Sequence, residues 1–290
     1  ALYGKNNPEY VQLMLGIVCG GGVSIPIDVQ ADEDTICAVI NKSEADILLY
    51  DINTPINEKS VLDRCSTLSD IKIMNDPENS MCEEINSKYS GTDVISDAKK
   101  EECALILFTS GTTGEGKGVM LSNGNLIDNV FNSEFKKFSK KLNILPINHA
   151  FCIKGDFLIS FATGSTVCIN GDMKDLAQNI LLFEPTIINL VPMVAQGLFT
   201  KLEILAQKEN KTVAQLRDKV FGSRLTGIYA GGAHLPEELV HKYKEAKILI
   251  CQGYGMTECS PTISTPDPSR PDKAYTAVRI AKRCQTRIVN

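Results

Sequence analysis

Apolar positions along the chain switch repeatedly between a helical and an extended period. Tyr10, Val11, Leu13, Met14 and Ile17 recur at helical spacing behind Asn7-Pro8-Glu9, which supplies an N-cap, a first-turn proline and an early acid. Gly20-Gly21-Gly22 then stops that helix. The opening residues 1–4 read as the tail of a strand, residues 23–27 as a short strand, 33–42 as a helix and 47–50 as a strand. Further strands are predicted at 71–74, 103–108, 143–147, 165–169, 186–191, 224–230 and 248–252. Helical patterns fill 122–132, 172–183, 193–207 and 236–246. Continuous apolar strands such as 104–108 and 187–191 are the mark of parallel sheets covered by helices on both faces. Beyond Pro261, the cluster Pro266, Pro268, Ser269, Arg270 and Pro271 reads as a loop or boundary, and 286–289 is strand-like.

Composition narrows the class. The 290 residues are 43% hydrophobic and 22% charged, enough to bury one large core or two modest ones without disulfides or a metal. Thirty Lys+Arg against thirty-five Asp+Glu give a formal charge of −5, and phosphate-backbone binding needs a basic excess, so no nucleic-acid partner is expected. The longest apolar runs, such as 13–19 and 248–251, are far too short to span a bilayer. No basic and apolar leader opens the chain, so no secretory signal is expected. Ten cysteines include no Cys-x-x-Cys, and the three histidines have no metal-ligand spacing. Buried, reduced thiols in a cytoplasmic protein are the expectation.

The strongest local signal is the segment from Leu105 to Val119, where a buried strand runs into Thr109-Ser110-Gly111-Thr112-Thr113-Gly114-Glu115-Gly116-Lys117-Gly118. Small residues let successive backbone N–H groups curl around an anion, hydroxyls add donors, and Lys117 adds charge. This is a phosphate loop by chemistry. Gly111-x-x-x-x-Gly116-Lys117 satisfies most of a Walker A pattern, but Gly118 stands where the magnesium-binding hydroxyl belongs. Residues 118–121 read as extended, with a helix starting only at Ser122 or Asn123, whereas a Walker loop opens directly into a helix.

The Thr-Ser-Gly-Thr-Thr-Gly-x-x-Lys-Gly-Val arrangement instead resembles the signature of the adenylate-forming superfamily, which includes acyl-CoA synthetases, firefly luciferases and nonribosomal peptide adenylation domains. The position before the lysine is usually proline there and is Gly116 here. Three more segments match in order. Gln252-Gly253-Tyr254-Gly255-Met256-Thr257-Glu258 resembles the second nucleotide motif, and Tyr229-Ala230-Gly231-Gly232-Ala233-His234-Leu235-Pro236 resembles the diglycine adenine loop. Leu145-Pro146-Ile147-Asn148-His149 resembles the segment whose histidine borders the carboxylate substrate in acyl-CoA and aryl-CoA ligases. Residues 4–10 and 20–28 are also similar to early segments of the family, and the long-chain acyl-CoA synthetase branch is the best match.

The resemblance implies an α/β fold with two packed, mostly parallel sheets flanked by helices in αβαβα layers. It places a first subdomain over 1–142, a second over 143–265, and a linker with the start of a small β subdomain over 266–290. It implies a reaction in two steps: a carboxylate attacks the α-phosphorus of ATP and releases pyrophosphate, and the thiol of coenzyme A then displaces AMP. Ser110, Thr112, Thr113 and Lys117 would cradle the β- and γ-phosphates, Thr109, Gly111 and Gly114 belong to the same nucleotide-binding loop, and Gly231, Gly232 and Ala233 would line the adenine side. Gln252, Gly253, Tyr254, Gly255 and Met256 complete the nucleotide set, with the Tyr254 face offered to the purine. Thr257 would contact the α-phosphate, Glu258 would hold Mg²⁺, and His149 would stand in the acid pocket.

Amino-acid-activating relatives carry a Phe-Asp pair where this chain has Phe151-Cys152, and Asp156 lies too far along to take that role. An acid without an α-amino group is therefore expected, a fatty acid by resemblance. Residues 157–164 and 190–198 are apolar or small, which suits an acyl pocket and a core element equally. The family's ribose-binding aspartate and lysine-bearing C-terminal lid have no counterpart here, and Val278 replaces a usual glycine. The resemblance thus implies a truncated enzyme with little activity of its own. Two other readings stay open, a P-loop kinase or ATPase and a degenerate adenylate-binding domain without turnover; oligomeric state is not legible.

Overall fold

The computed structural model describes residues 1–78, 81–90, 97–109, 116–132, 138–265, 267, 270, 273–276 and 279–287. The chain forms two compact units, Ala1–Ile127 with Pro146–His149, and Asp128–Leu145 with Ala150–Asn290.

In the first unit, a four-stranded parallel sheet runs in the order β2-β1-β3-β4, from β1 (Leu2–Tyr3), β2 (Pro26–Ile27), β3 (Ile47–Tyr50) and β4 (Asp70–Ile73). Helix Pro8–Cys19 starts where the sequence signals it: Asn7 accepts from Tyr10 N–H at 2.7 Å and Pro8 occupies the first turn. Helix Glu33–Ser43 is capped by Asp32, which accepts from Thr35 N–H at 2.9 Å. Tyr3, Ile27, Ile36, Ile40, Leu48 and Val61 form the core between sheet and helices. A separate antiparallel hairpin pairs β5 (Cys103–Thr109) with β6 (Lys117–Ser122), and a single bridge joins Ser24 to Leu105.

In the second unit, a five-stranded parallel sheet has the order β11-β10-β9-β7-β8. Its members are β7 (Lys140–Asn143), β8 (Thr166–Ile169), β9 (Ile187–Leu190), β10 (Gly227–Ala230) and β11 (Leu249–Gln252). Long helix Pro192–Glu209 and helix Val213–Phe221 cover it, the second started by a capping box between Thr212 and Gln215. Inside this core Tyr243 meets Phe199 with a tilted ring and Phe221 edge-on, at centroid distances of 5.0 and 5.6 Å. A three-stranded antiparallel sheet joins β12 (Tyr254–Gly255), β13 (Thr262–Thr265) and β14 (Arg279–Ile280). The architecture is a mixed α/β fold with parallel sheets flanked by helices.

Several expectations need correction. The strand expected over 143–147 lies at Lys140–Asn143. Leu145 and Ile147 are buried in the following loop and so imitate a strand, while Lys141 hides its true start because its ammonium is buried. Helices Glu58–Arg64, Met81–Tyr89, Val213–Phe221 and the helical run 150–163 carry no clear apolar period in the sequence. In the last of these, Lys154, Gly155 and Asp156 interrupt the pattern, yet all three are buried in a π-helical turn, Ile153–Leu158. Residues 286 and 287 form no strand, and 288–290 lie outside the described residues. Of the ten cysteines, Cys37, Cys65, Cys152 and Cys251 are buried, but Cys19 and Cys259 are exposed. Among the described residues, no helix is long and apolar enough to cross a membrane.

Candidate functional site

Strands β9, β10 and β11 end at one level, with Leu190, Ala230 and Gln252 in register. Two of the sequence-predicted motifs leave the sheet at this edge, 231–236 from β10 and 253–258 from β11. Ligands of open parallel sheets bind outside such carboxyl ends. The loops are fastened to the sheet and to each other. Gly231 N–H donates to Leu190 O at 3.1 Å, Gly253 N–H to Ala230 O at 2.9 Å, and Leu235 N–H to Gln252 Oε1 at 2.8 Å. Gly232 takes φ +79°, a left-handed conformation that favours glycine, and with Ala233 it is exposed. His234 is exposed beside them.

The second motif turns sharply. Tyr254 and Gly255 pair antiparallel with Thr262–Thr265, and Met256 N–H donates to Pro261 O at 2.8 Å. A Cβ on Gly255 would run into the Pro261 carbonyl, so this position requires glycine. Thr257–Cys259 forms a single 3₁₀ turn, held from outside by Asn129 Nδ2, which donates to Cys259 O at 2.8 Å. The result is a presented set: Tyr254 is 51% exposed, Met256 and Glu258 are exposed, and Thr257 is half-buried. Gln252, in the nucleotide set by resemblance, has its side-chain oxygen engaged by Leu235 N–H.

In the other unit, Thr109 and Lys117 face each other in register at the open end of the β5–β6 hairpin. Ser110, Gly111, Thr112, Thr113 and Gly114 lie outside the described residues. Lys117 is exposed and opens strand β6, with the next helix starting only at Asn123, whereas the lysine of a Walker motif leads directly into a helix. Sequence reading missed a neighbour. Lys42 Nζ, at the end of helix Glu33–Ser43, donates to Gly116 O at 2.9 Å and brings a second cation to the mouth of the loop. Nothing in the sequence points to a pair 74 residues apart. His149 is exposed in the segment Pro146–His149, its N–H on Pro146 O at 3.2 Å.

Behind the β7 and β9 strand ends lies a buried polar cluster. Asp156 is fully buried; Asn143 Nδ2 donates to its Oδ2 at 2.8 Å and Asn189 Nδ2 to its Oδ1 at 2.6 Å. Lys141 Nζ donates to Gly155 O at 2.5 Å, and Lys154 Nζ to Thr262 Oγ1 at 2.5 Å. Burial pushes the Asp156 carboxyl up to about 6, against the opposing pull of Asn143, Lys141 and Asn189. Burial likewise brings Lys141 and Lys154 down to about 8. Phe157, within the stretch that suited an acyl pocket, is a core side chain.

A family model described as AMP-binding enzyme matches residues 1–290. The chain belongs to the AMP-binding enzyme family. Curated relatives of this family include a feruloyl-CoA synthase from Amycolatopsis sp, 25% identical over 267 residues, covering 91% of this chain and 50% of that protein. A 4-coumarate--CoA ligase-like protein of Arabidopsis thaliana is 27% identical over 206 residues, covering 68% of this chain and 36% of its own length. Among solved structures, a long-chain-fatty-acid-CoA ligase from Archaeoglobus fulgidus superposes with a TM-score of 0.79 at 25% identity, over 97% of this chain and 57% of that one. The chain spans about half or less of the length of these curated relatives. AMP-binding enzyme membership and the matching α/β architecture agree with the resemblance carried by the four motifs. Among the described residues, no group of three His, Cys, Asp or Glu side chains is poised to hold a metal.

Proposed function

We propose that this chain carries the nucleotide and acid sites of an AMP-forming acid–thiol ligase, which converts a carboxylic acid to its acyl-adenylate and then to a coenzyme A thioester. The observation that carries the reading is the adjacent exit of the 231–236 and 253–258 loops from neighbouring strand ends, tied by the Leu235–Gln252 bond. On this reading the Gly231-Gly232-Ala233 loop and the exposed Tyr254 ring receive the adenine, and Thr257 donates to the α-phosphate. Thr109 and Lys117, with the loop between them, suit the β- and γ-phosphates, and Lys42 adds charge there.

The donor set fits Mg²⁺ in the way that ion is usually held, through one hard carboxylate with nucleotide oxygens completing the shell. Glu258, exposed on its 3₁₀ turn, is that carboxylate. The ion would neutralise charge developing on the phosphates. What the protein contributes is placement: adenylyl transfer from ATP to the carboxylate, with pyrophosphate leaving, is accelerated chiefly by orientation and preorganised charge. His149 would border the acid, without a proton-transfer role.

A fatty acid is the substrate implied by the resemblance and by the Archaeoglobus neighbour's name. Relatives named for 4-coumarate and feruloyl-CoA favour a second reading, an aryl-substituted acid. The free cysteines favour a cytoplasmic protein on either reading. Acid-dependent ATP–pyrophosphate exchange by the whole protein that contains this chain, screened with fatty acids of graded length and with hydroxycinnamic acids, tests both. Exchange with one class assigns the substrate; phosphate release without exchange would favour a kinase or ATPase; adenosine binding with no exchange for any acid would leave a non-catalytic binding domain.

A further inference from the structure

The buried polar cluster is not used by the adenylation chemistry, yet it occupies the sheet edge from which the adenine loop departs. Its geometry is specific. Strands β7 and β9 are parallel neighbours with Lys141 opposite Ile187 and Leu142 opposite Ile188, so Asn143 and Asn189 come next on adjacent strands. Each gives one amide proton to a different oxygen of the same carboxylate. The carboxylate belongs to a π-helical turn, an irregularity concentrated at functional positions. Lys141, two residues before Asn143 and so on the same face of β7, fixes the carbonyl of Gly155 in that turn. A second amide contact of Asn143 reaches Cys152 Sγ at 3.2 Å, and that thiol in turn meets Leu145 O at 3.2 Å.

One side chain connects this clamp to the adenine loop. A Cβ built on Gly155 would lie 3.4 Å from Phe151 Cδ2 and Cε2, and one on Gly231 would lie 3.0 Å from Phe151 Cε1. The Phe151 ring therefore fills a slot between two glycines, one edge on the clamped turn and the other on the diglycine loop. The Cβ position of Gly155 also lies 3.0 Å from Asn189 Nδ2, so the same asparagine that holds Asp156 borders the slot.

We propose that Asp156 is a positioning residue: gripped by Asn143 and Asn189, it sets the π-helical turn so that Phe151 braces Gly231 in the shape that receives a purine. This rests on the reading of Gly231–Ala233 as the adenine side. The groups facing Asp156 are Lys141 and Asn143 from β7, Asn189 from β9 and Cys152 from its own helix; Lys154, beside it in the turn, acts on Lys141 and reaches Thr262. Asp156 gains a proton near the mildly acidic end of the physiological range, because burial opposes its charge. A neutral carboxyl keeps one oxygen that carries a proton and cannot accept both amide bonds equally, so the brace loosens as Asp156 protonates.

The experiment places a single para-fluorophenylalanine at position 151 of the chain and follows its ¹⁹F resonance from about pH 5 to pH 8, with adenosine affinity measured in parallel. Adenosine is the probe because it carries no group titrating in that interval. In the parent chain the resonance is expected to move with a midpoint near 6, and adenosine to bind roughly five- to tenfold more weakly at the acid end. Asp156→Asn is expected to abolish the midpoint and Asn189→Ala to move it to higher pH, since that amide favours the charged carboxylate; both should lower affinity at neutral pH by a similar factor. Asn179→Ala, which removes a polar contact to Asn170 elsewhere in the same unit, is the control and should change neither. A resonance at 151 that ignores both pH and the two clamp variants would overturn the proposal. A resonance that responds as described in a chain that binds no adenosine would instead defeat the adenine-side reading while leaving the mechanical link intact.

Discussion

Leu235 N–H donates to Gln252 Oε1 at 2.8 Å, and this bond ties the diglycine loop to the strand that delivers Tyr254. The partners are 17 residues apart and leave the sheet from neighbouring strand ends. Gln252→Ala strips the acceptor and leaves a part-buried N–H unmade, which costs about 1 kcal/mol. Urea titration should show a small fall in stability. Adenosine affinity is expected to fall more, roughly fivefold, because two loops lose their common anchor. Unchanged affinity in a destabilised variant would reduce the bond to a purely structural one.

Gly255 answers to its neighbour rather than to its own backbone angles. The Pro261 carbonyl occupies the space a methyl would need, so Gly255→Ala must push two chain segments apart. Overpacking of this kind costs about 1–3 kcal/mol. Because Met256 N–H bonds to that same carbonyl, the displacement reaches the Thr257–Cys259 turn. The expected outcome is a lower unfolding midpoint together with loss of ATP–pyrophosphate exchange; a variant as stable and active as the parent would contradict the crowding.

How much of this was legible in advance follows from what each interaction depends on. Parallel strands such as Ile187–Leu190 announce themselves by continuous apolar residues, and caps such as Asn7 and Asp32 sit beside the helices they start. The glycine-rich and Tyr-Gly-Met-Thr-Glu segments are local motifs, so their chemistry could be read before their placement. The strand Lys140–Asn143 was misplaced because its lysine is solvated by a carbonyl from 14 residues away, an arrangement no local pattern reports. For the same reason nothing local to Asp156 reports that it is buried. Its partners Asn143 and Asn189 are 13 and 33 residues distant and meet it only once the sheet has assembled. Lys42 at Gly116 is a further case.

Glu258 and Lys42 belong to separate units, and their proposed roles are tested separately. Glu258→Ala is expected to cut magnesium-dependent exchange by more than tenfold while leaving adenosine binding intact, since the carboxylate is exposed on its 3₁₀ turn. Near-parent exchange would remove Glu258 from the metal site.

Lys42→Ala should weaken ATP roughly threefold at low salt, with a smaller effect at high salt, because its charge is exposed and screened. Adenosine carries no phosphate and should be unaffected. An equal loss for ATP and adenosine would mean that Lys42 supports the hairpin rather than the ligand.

The buried cluster also sets a pH dependence of stability with a defined sign. Asp156 has a folded value raised from 3.8 to about 6, so the folded state holds its proton more tightly than the unfolded chain does. Its contribution is fully present below about pH 4 and is lost as pH rises through 6, a change of about 3 kcal/mol at most. Lys141 runs the other way: lowered from 10.5 to about 8, it contributes fully above the unfolded value and loses that contribution as pH falls through 8. Lys154, lowered to about 8 by burial and by Lys141, adds to the alkaline side. Together these groups help least between about pH 6 and pH 8 and more on either side. Urea unfolding of the parent chain and of Lys141→Met across this range isolates the effect. The difference between the two should change through the alkaline window. The acid step should move to higher pH in the variant, because Lys141 is the cation that holds Asp156 down. A difference that stays constant from acid to alkaline pH would show that Lys141 and Asp156 do not share a buried field.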